Sequence, residues 1–295
     1  MTAIGTASVP RTHPPGRLRT ARVWRHRART IAVVAVMLLI SAFFVLPFIW
    51  MASASFRTQG SLLADPGTLW PTAFTLENYT EIWQRIPFGR QLFNTMFFAG
   101  VVTVVSVTFN SMAGYALARF DFKGKNVAFV LLILTLMVPI EVTFVPLYNI
   151  ISDLGWINTY QGLIVPRLAS AFGIFLMRQF FLSLPKDLED AARLDGASEV
   201  RIFLRIMWPL AKPAVLTLGM FSLLRNWNDL LWPLMVINDA EMQTLPPGLA
   251  MFKGESVTEF GLLMAGSVIA LIPMVVAFLF VQRSFIEGVA TTGMK

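Results

Sequence analysis

Six apolar runs separated by polar intervals dominate the pattern of this chain. They fall at residues 31–51, 93–117, 127–148, 162–182, 214–237 and 260–281. Each is near the roughly 20 residues that carry a helix across a bilayer. Pro139 and Pro146 lie inside the third run and predict kinks there. Between the fourth and fifth runs stands the longest charge-rich interval of the second half, PKDLEDAARLDGASEVRIFLRIMWPLAKP, at residues 185–213. Its spacing predicts two short helices joined at Gly196. Pro185 suits a first helical turn, where its missing N–H has no partner to lose. Leu188, Ala191, Ala192 and Leu194 form an apolar side, with Lys186, Asp187, Glu189, Asp190, Arg193 and Asp195 facing elsewhere. Gly196 permits a sharp reversal that a Cβ resists. Ser198 or Asp195 then caps a second helix, on which Val200, Phe203, Leu204 and Met207 recur at helical spacing. So compact a helix–turn–helix between spans has the form of a docking knob for another protein.

Composition agrees with a polytopic membrane protein. The chain is 56% hydrophobic with a mean hydropathy of +0.64, and 14% of its residues are charged, against about 25% in globular proteins. It has no cysteine, which excludes disulfides and thiolate sites, and its two histidines, His13 and His26, lie in the N-terminal thirty residues. No zinc-protease, phosphate-loop or dinucleotide motif occurs, and the FKGK at residues 122–125 lacks the spacing of a nucleotide loop. Energy-driven work by this protein therefore needs ATP bound on another chain.

Charge placement predicts orientation. Residues 1–30 hold seven arginines and no acid, the pattern of a disordered tail drawn to anionic headgroups. The run that follows exceeds the 7–15 residues of a signal-peptide core, so a cleaved leader is not expected. Six spans put both termini on one side. That side holds the tail arginines with Arg119, Lys123, Lys125, Lys186, Arg193, Arg201, Arg205, Lys212, Arg283 and Lys295, whereas the other holds Arg57, Arg85, Arg90 and Lys253. The positive-inside rule makes the first side, and with it the knob, cytoplasmic.

The knob resembles the signature loop of ABC-importer permeases, whose pattern is Glu-Ala-Ala, three residues, Gly, nine residues, then Ile, any residue, Leu and Pro. Asp190, Ala191 and Ala192 stand at the triplet, Gly196 at the glycine, and Ile206 and Pro209 at the end; Asp190 replaces the usual Glu and Trp208 the usual Leu. The segments LENYTEIW, NTMFFAG, AGYALARFDFKGK, VPIEVTFVPLYNII, FGIFLMRQFF and WNDLLWPLMV extend the likeness over residues 31–295 to the carbohydrate branch, the maltose-permease G-type subunits. The resemblance implies an all-α integral membrane fold of the type I importer architecture: six transmembrane helices in residues 31–295 with a cytoplasmic coupling helix–turn–helix. It also implies partners: a homologous second permease, two cytoplasmic ATPases that hold ATP and Mg, and an extracytoplasmic solute-binding protein. This chain would bind no cofactor or metal, catalyse nothing, and move a sugar through the cell membrane.

Three groups of residues are candidates on this reading. Glu189, Asp190, Ala191, Ala192, Arg193, Asp195, Gly196, Ile206 and Pro209 would meet the ATPase, with the alanines permitting close approach. Arg225, Asn226, Asn228 and Asp229 form the most polar cluster inside an apolar run. Arg225 stands about 16 Å up a helix from Ala214, near mid-bilayer, at 1.5 Å per residue. A central charge costs at least about 2.5–3.5 kcal/mol there. Arg225 and Asp229 are expected to pair four residues apart; the cluster is then either a buried structural ion pair or the lining of a polar path for sugar hydroxyls. Glu141, after Pro139, is either a gate residue or a carboxylate reaching for the interface. Trp70, Trp83 and Trp156 read as interfacial anchors. The loop from Asn238 to Glu255 is expected to face the binding protein, with Pro246, Pro247 and Gly248 shaping it.

Two other functions compete. An ion-coupled secondary transporter would use Glu141, Arg225 and Asp229 as a relay, yet the six runs show no internal repeat and the knob would have no purpose. An intramembrane enzyme lacks a motif-borne catalytic pair. Within the importer reading, glycerol phosphate or another polyol derivative is an alternative cargo.

Overall fold

The computed structural model describes residues 17–70, 73–254 and 258–292. Residues 1–16 of the expected tail and Lys295 lie outside the described residues. The chain separates into a unit of residues 1–51 and a larger unit of residues 52–295. The described part of the first unit is one helix, α1 (Arg17–Ala54), whose last residues enter the second. The helix starts fourteen residues before the apolar run and so replaces the unstructured tail expected over residues 17–30. No charge occurs between residues 31 and 54, and the apolar side chains surround the axis, as a span in lipid requires.

Among the described residues, the extended elements of the second unit are all helices, beside one isolated bridge between Lys253 and Thr258. After α2 (Gln59–Ala64) and α3 (Glu77–Arg85) comes α4 (Phe88–Arg119), about 48 Å long at 1.5 Å per residue. Then follow α5 (Lys125–Leu136), α6 (Phe144–Asp153), α7 (Tyr160–Ile164), α8 (Ala171–Ser183), α9 (Asp187–Leu194), α10 (Glu199–Ile202), α11 (Trp208–Leu210), α12 (Lys212–Trp227), α13 (Leu231–Val236), α14 (Leu245–Ala250) and α15 (Phe260–Thr292). Among the described residues, four stretches are long and apolar enough to cross a membrane, and two bent helix pairs bring the number to six if each pair is one span.

Both bends have identifiable causes. Pro139 takes φ −57° and ψ 130°, which leaves the helical region, and α5 turns by 97° into a 3-10 turn at Ile140–Thr143 and then α6. Pro146, expected to kink as well, sits in the first turn of α6, where a missing N–H is tolerated. Ahead of Pro209 the backbone widens into a π turn, Phe203–Met207, giving the ring room against the preceding turn; the chain then bends 78° at Ala211 between α11 and α12.

Helix α4 lies at the centre, packed chiefly against α8 and α12, while α12 also packs on α15. Its polar residues point inward: Gln91, Asn94, Ser106, Asn110 and Ser111 are buried, and Phe97, Val104, Phe109 and Met112 are exposed. This inversion of the soluble pattern suits a helix whose outer side meets lipid, where polar and small residues join helices. At Gly114 a Cβ would come 2.7 Å from the Met177 Cβ and 2.8 Å from the Arg178 backbone nitrogen, so glycine sets the approach of α4 and α8. Near one end of α4, Tyr115, Ala118, Met177, Phe181, Ile202, Phe203 and Met207 form an apolar core beneath α9–α11. Near the other end, Phe98 and Val102 join Phe144, Ile151, Leu163, Trp232 and Val236 in a second core. Arg85 of α3 pairs there with Glu259 at 2.5 Å, which raises the affinity of the guanidinium for its proton.

Span five departs from expectation. The apolar pattern predicts one helix over residues 214–237, but α12 ends at Trp227 and the chain turns through Asn228–Leu230 before α13. Asp229 therefore leaves the helical register that would have placed it beside Arg225.

Candidate functional site

Two sites collect the chemistry. The first is a cavity of about 520 Å³ bordered by α4, the bend after α5, the start of α8, and α12. Ser106 and Asn110 face it from α4, Thr135 and Thr143 from either side of the Pro139 bend, and Ser222, Arg225 and Asn226 from α12. Its apolar wall includes Phe172 and Phe221, whose rings meet edge to face at 6.4 Å. The hydroxyls of Ser106 and Ser222 share a hydrogen bond of 3.2 Å, and the Asn226 amide donates to the Ser222 carbonyl at 2.7 Å. Asn110 accepts from the Ser170 N–H at 3.0 Å, which ties α4 to the cap of α8.

The ion pair expected between Arg225 and Asp229 does not form. Asp229 instead accepts from Arg167 at 2.6 Å, and both side chains are largely buried. The Arg167 guanidinium also lies 5.8 Å from the Phe144 ring centre and 5.7 Å from that of Trp232. With its other carboxylate oxygen Asp229 accepts the Trp232 N–H at 3.3 Å, capping α13, and the Trp232 indole donates to the Gly162 carbonyl. The helix end at Trp227 is the physical reason: past it, the carboxylate swings toward Arg167 in the 3-10 turn Val165–Arg167 that precedes α8. Arg225 is exposed into the cavity and, among the described residues, forms no ion pair. Asn226 is buried, whereas Asn228 is exposed and donates to the Leu224 carbonyl at 2.8 Å. Glu141 is exposed on the 3-10 turn, within electrostatic reach of Arg167.

The second site is the knob. It starts at Asp187 rather than Pro185, and its reversal closes as the glycine pattern requires: Gly196 has φ +78°, and the Ala197 N–H reaches back to the Ala192 carbonyl at 3.0 Å. The inward side differs from the expected apolar one. Glu189 and Ala192 are buried, while Leu188, Ala191 and Leu194 are exposed, Leu194 by 91%. Glu189 turns inward because Arg119, at the end of α4, meets it at 2.8 Å with each side chain 2% exposed. Arg119 also donates to the Leu184 carbonyl at 2.7 Å. Burial pushes the Glu189 carboxyl above the usual carboxylate range, with Arg119 and then Arg193 pulling it back.

Arg193 clamps the knob's two halves, donating to Glu199 at 2.7 Å and to Asp190 at 2.8 Å. The Glu199 hydrogen bond raises the proton affinity of Arg193, and the same bond holds the Glu199 carboxyl below its ordinary range. Asp190, Asp195 and Pro209 are exposed, and Ile206 is half-buried in the core beneath.

Within the expected docking loop, the part assigned to Pro246, Pro247 and Gly248 is corrected. Pro247 and Gly248 are buried and Pro246 half-buried, because α14 lies against Gln91 of α4, leaving no room for a Cβ at Gly248. The exposed positions of that region are Asn238, Asp239, Ala240 and Glu241, with Met251, Lys253 and Gly254 beyond. Asn94 of α4 holds the loop from beneath, donating to the Glu241 and Gln243 carbonyls at 2.8 and 2.9 Å.

Sequence reasoning missed Arg119, Arg167, Ser106 and Asn110 as site residues. Ser106 and Asn110 did carry a signal, two polar side chains four apart in a charge-free run. For the arginines the signal was weaker: each stands at the edge of an apolar stretch.

Comparison with known proteins agrees with this geometry. Residues 110–290 match the family model described as "Binding-protein-dependent transport system inner membrane component". The chain is 38% identical over 268 residues to the arabinooligosaccharides transport system permease protein AraQ of Bacillus subtilis, covering 90% of this chain and 95% of AraQ. It is 37% identical over 236 residues to the sn-glycerol-3-phosphate transport system permease protein UgpE of Escherichia coli, covering 77% and 84%. In fold it is similar to a chain of a bacterial ABC transporter that imports the acidic polysaccharide alginate, with a TM-score of 0.76 at 23% identity, covering 92% of this chain and all of that one.

Proposed function

The chain belongs to the family of binding-protein-dependent transport inner-membrane components, and from that premise we propose that it is a pore-forming permease subunit of an ATP-binding-cassette importer for a sugar or oligosaccharide. Relatives named as permeases for arabinooligosaccharides and sn-glycerol-3-phosphate support a carbohydrate-type cargo. The observation that carries the coupling role is the knob: a short helix anchored from beneath by a buried ion pair presents Leu188, Ala191 and Leu194 outward. Apolar side chains displayed on a rigid, polar-rimmed projection suit insertion into a cleft of another protein.

In this reading the knob docks on one of two ATPases that hold ATP and Mg. Asp190 and Asp195 form its charged rim, and the exposed face of α9 its contact. Closure of the ATPases pushes α9, and the Arg119–Glu189 pair passes the displacement to α4, which borders the cavity. A homologous second permease completes the pore, and rocking of the two halves gives alternating access. Arg119, Lys125, Lys186, Arg193, Arg201, Arg205 and Lys212 gather at the knob end, which supports a cytoplasmic knob under the positive-inside rule. The exposed residues 238–241, with Met251, Lys253 and Gly254, then face a solute-binding protein.

The test is uptake in proteoliposomes that contain the complete importer. Uptake should require ATP inside and be indifferent to collapse of ion gradients. Replacing Gly196 by Val forces a β-branched residue into φ +78° and should uncouple hydrolysis from uptake. Transport driven by an ion gradient without ATP, or normal uptake by Gly196→Val, refutes the reading.

A further inference from the structure

The cavity carries an electrostatic imbalance. Two guanidinium groups, Arg167 and Arg225, border it, and no carboxylate does so among the described residues. Arg167 is matched by Asp229 from behind. Arg225 projects from α12 with no ion-pair partner among the described residues, and it lies close enough to Arg167 to repel it. Glu141 acts on Arg167 from the exposed 3-10 turn but is not a lining residue. An unpaired cation inside the hydrocarbon layer is tolerated only where it faces water or a counter-charge. The lining around it is otherwise suited to a sugar: hydroxyls and amides from Ser106, Ser222 and Asn226 on one side, and the rings of Phe172 and Phe221 on the other. Its volume of about 520 Å³ lies within the range of roughly 300–1,000 Å³ usual for small-molecule sites.

We infer that the solute is an anionic sugar, and that Arg225 is the residue that receives its acidic group during passage. Arg225 is then a specificity residue: its planar fork pairs two N–H groups with the two oxygens of a carboxylate or phosphate, which a neutral hydroxyl cannot match. Arg167, neutralised by Asp229 and held by the two aromatic rings, shapes the wall without binding the solute itself. The inference rests on the importer reading above and narrows its cargo. A uronate and a sugar phosphate offer the same chemistry to Arg225, so the experiment separates them.

The full importer, with its partner permease, ATPases and binding protein, is reconstituted in proteoliposomes. Three labelled probes are supplied: digalacturonate, the neutral galactobiose, and sn-glycerol 3-phosphate. ATP-dependent uptake should favour one of the anionic probes over galactobiose by about tenfold or more, and which anion enters identifies the acidic group. Arg225→Gln should lower uptake of that anion about tenfold and so reduce its advantage over galactobiose by about the same factor. Arg225→Lys should restore part of the lost rate, because it keeps the charge but not the fork. Galactobiose uptake equal to that of the anions, or an equal loss on all probes in Arg225→Gln, overturns the inference while leaving the importer reading intact. Absence of ATP-dependent uptake of every probe overturns the inference, and the importer reading falls only on its own test, uptake driven by an ion gradient without ATP.

Discussion

Replacing Glu189 by Ala is the perturbation whose size the structure defines best. The Glu189 carboxylate and Arg119 meet at 2.8 Å with each side chain 2% exposed. Removing one member of a buried pair costs about 3–5 kcal/mol, because the remaining charge stays desolvated without its partner. Arg119 keeps its bond to the Leu184 carbonyl, which places the expected cost at the lower end, about 3 kcal/mol. The loss falls on the contact between α9 and α4, so it opens the knob locally rather than unfolding the bundle. At about 1.4 kcal/mol per factor of ten, 3 kcal/mol corresponds to a rise of roughly 150-fold in the open population. Hydrogen exchange of the amides at residues 187–199, measured on the assembled complex in nanodiscs, reads that population directly. Glu189→Ala should lose protection by about two orders of magnitude there, with the amides of α4 unchanged, and should lose uptake in parallel. The double variant Arg119→Leu/Glu189→Leu should recover much of the protection, because replacing both members leaves no stranded charge. Protection within about fivefold of the parent in Glu189→Ala, or a double variant no better protected than the single, refutes the anchoring role.

Other outcomes follow from the same contacts. Gly114→Leu should separate α4 from α8 and lower the Tm of the detergent-solubilised complex markedly, since the Cβ alone would meet the Met177 Cβ at 2.7 Å; an unchanged Tm would contradict the close approach. Asp229→Asn leaves Arg167 without its counter-charge and should reduce folded yield, with Arg167→Met/Asp229→Met recovering it; equal yields for single and double variants would argue against the pair. The two carboxylates of the knob should respond to pH with opposite sign. Arg193 depresses Glu199, so that contact stabilises above the ordinary carboxylate range and fades as pH falls through the depressed value. Burial raises Glu189, so its contribution declines as pH rises from the ordinary value through the raised one. Tm–pH profiles of Glu199→Gln and Glu189→Gln should therefore deviate from the parent with opposite slopes in the acidic range. The Glu199 part will be small, at most about 1 kcal/mol for an exposed pair.

Much of this fold could be read along the chain, because lipid imposes a simple rule: apolar runs of the right length become helices. The Pro139 bend was legible for an equally local reason, a residue that cannot continue the ladder. The knob's reversal at Gly196 was legible too, since left-handed backbone selects glycine. What escaped is long-range. Glu189 reads as an outward charge on any helical wheel, and only Arg119, seventy residues earlier, turns it inward. The end of α12 at Trp227 is marked by neither Pro nor Gly, and the apolar LLWPLMV beyond it continues the hydropathy signal, so the register that assigned Asp229 to Arg225 looked sound. Pro246–Gly248 carry turn chemistry on their face, and only the side chain of Gln91, packed against Gly248, shows them to be interior.

Helix α4 grips three structures at three heights: the loop after α13 through Asn94, the cavity wall through Ser106 and Asn110, and the knob through Arg119. Between the first and last grip lie about 38 Å of uninterrupted helix at 1.5 Å per residue. Such a strut has a fixed length and a fixed phase. Adding or removing one residue anywhere along it would rotate one end by about 100° against the other, at 3.6 residues per turn, and no side-chain substitution could realign all three grips. Sequence drift along α4 is therefore open to changes of residue but closed to changes of number.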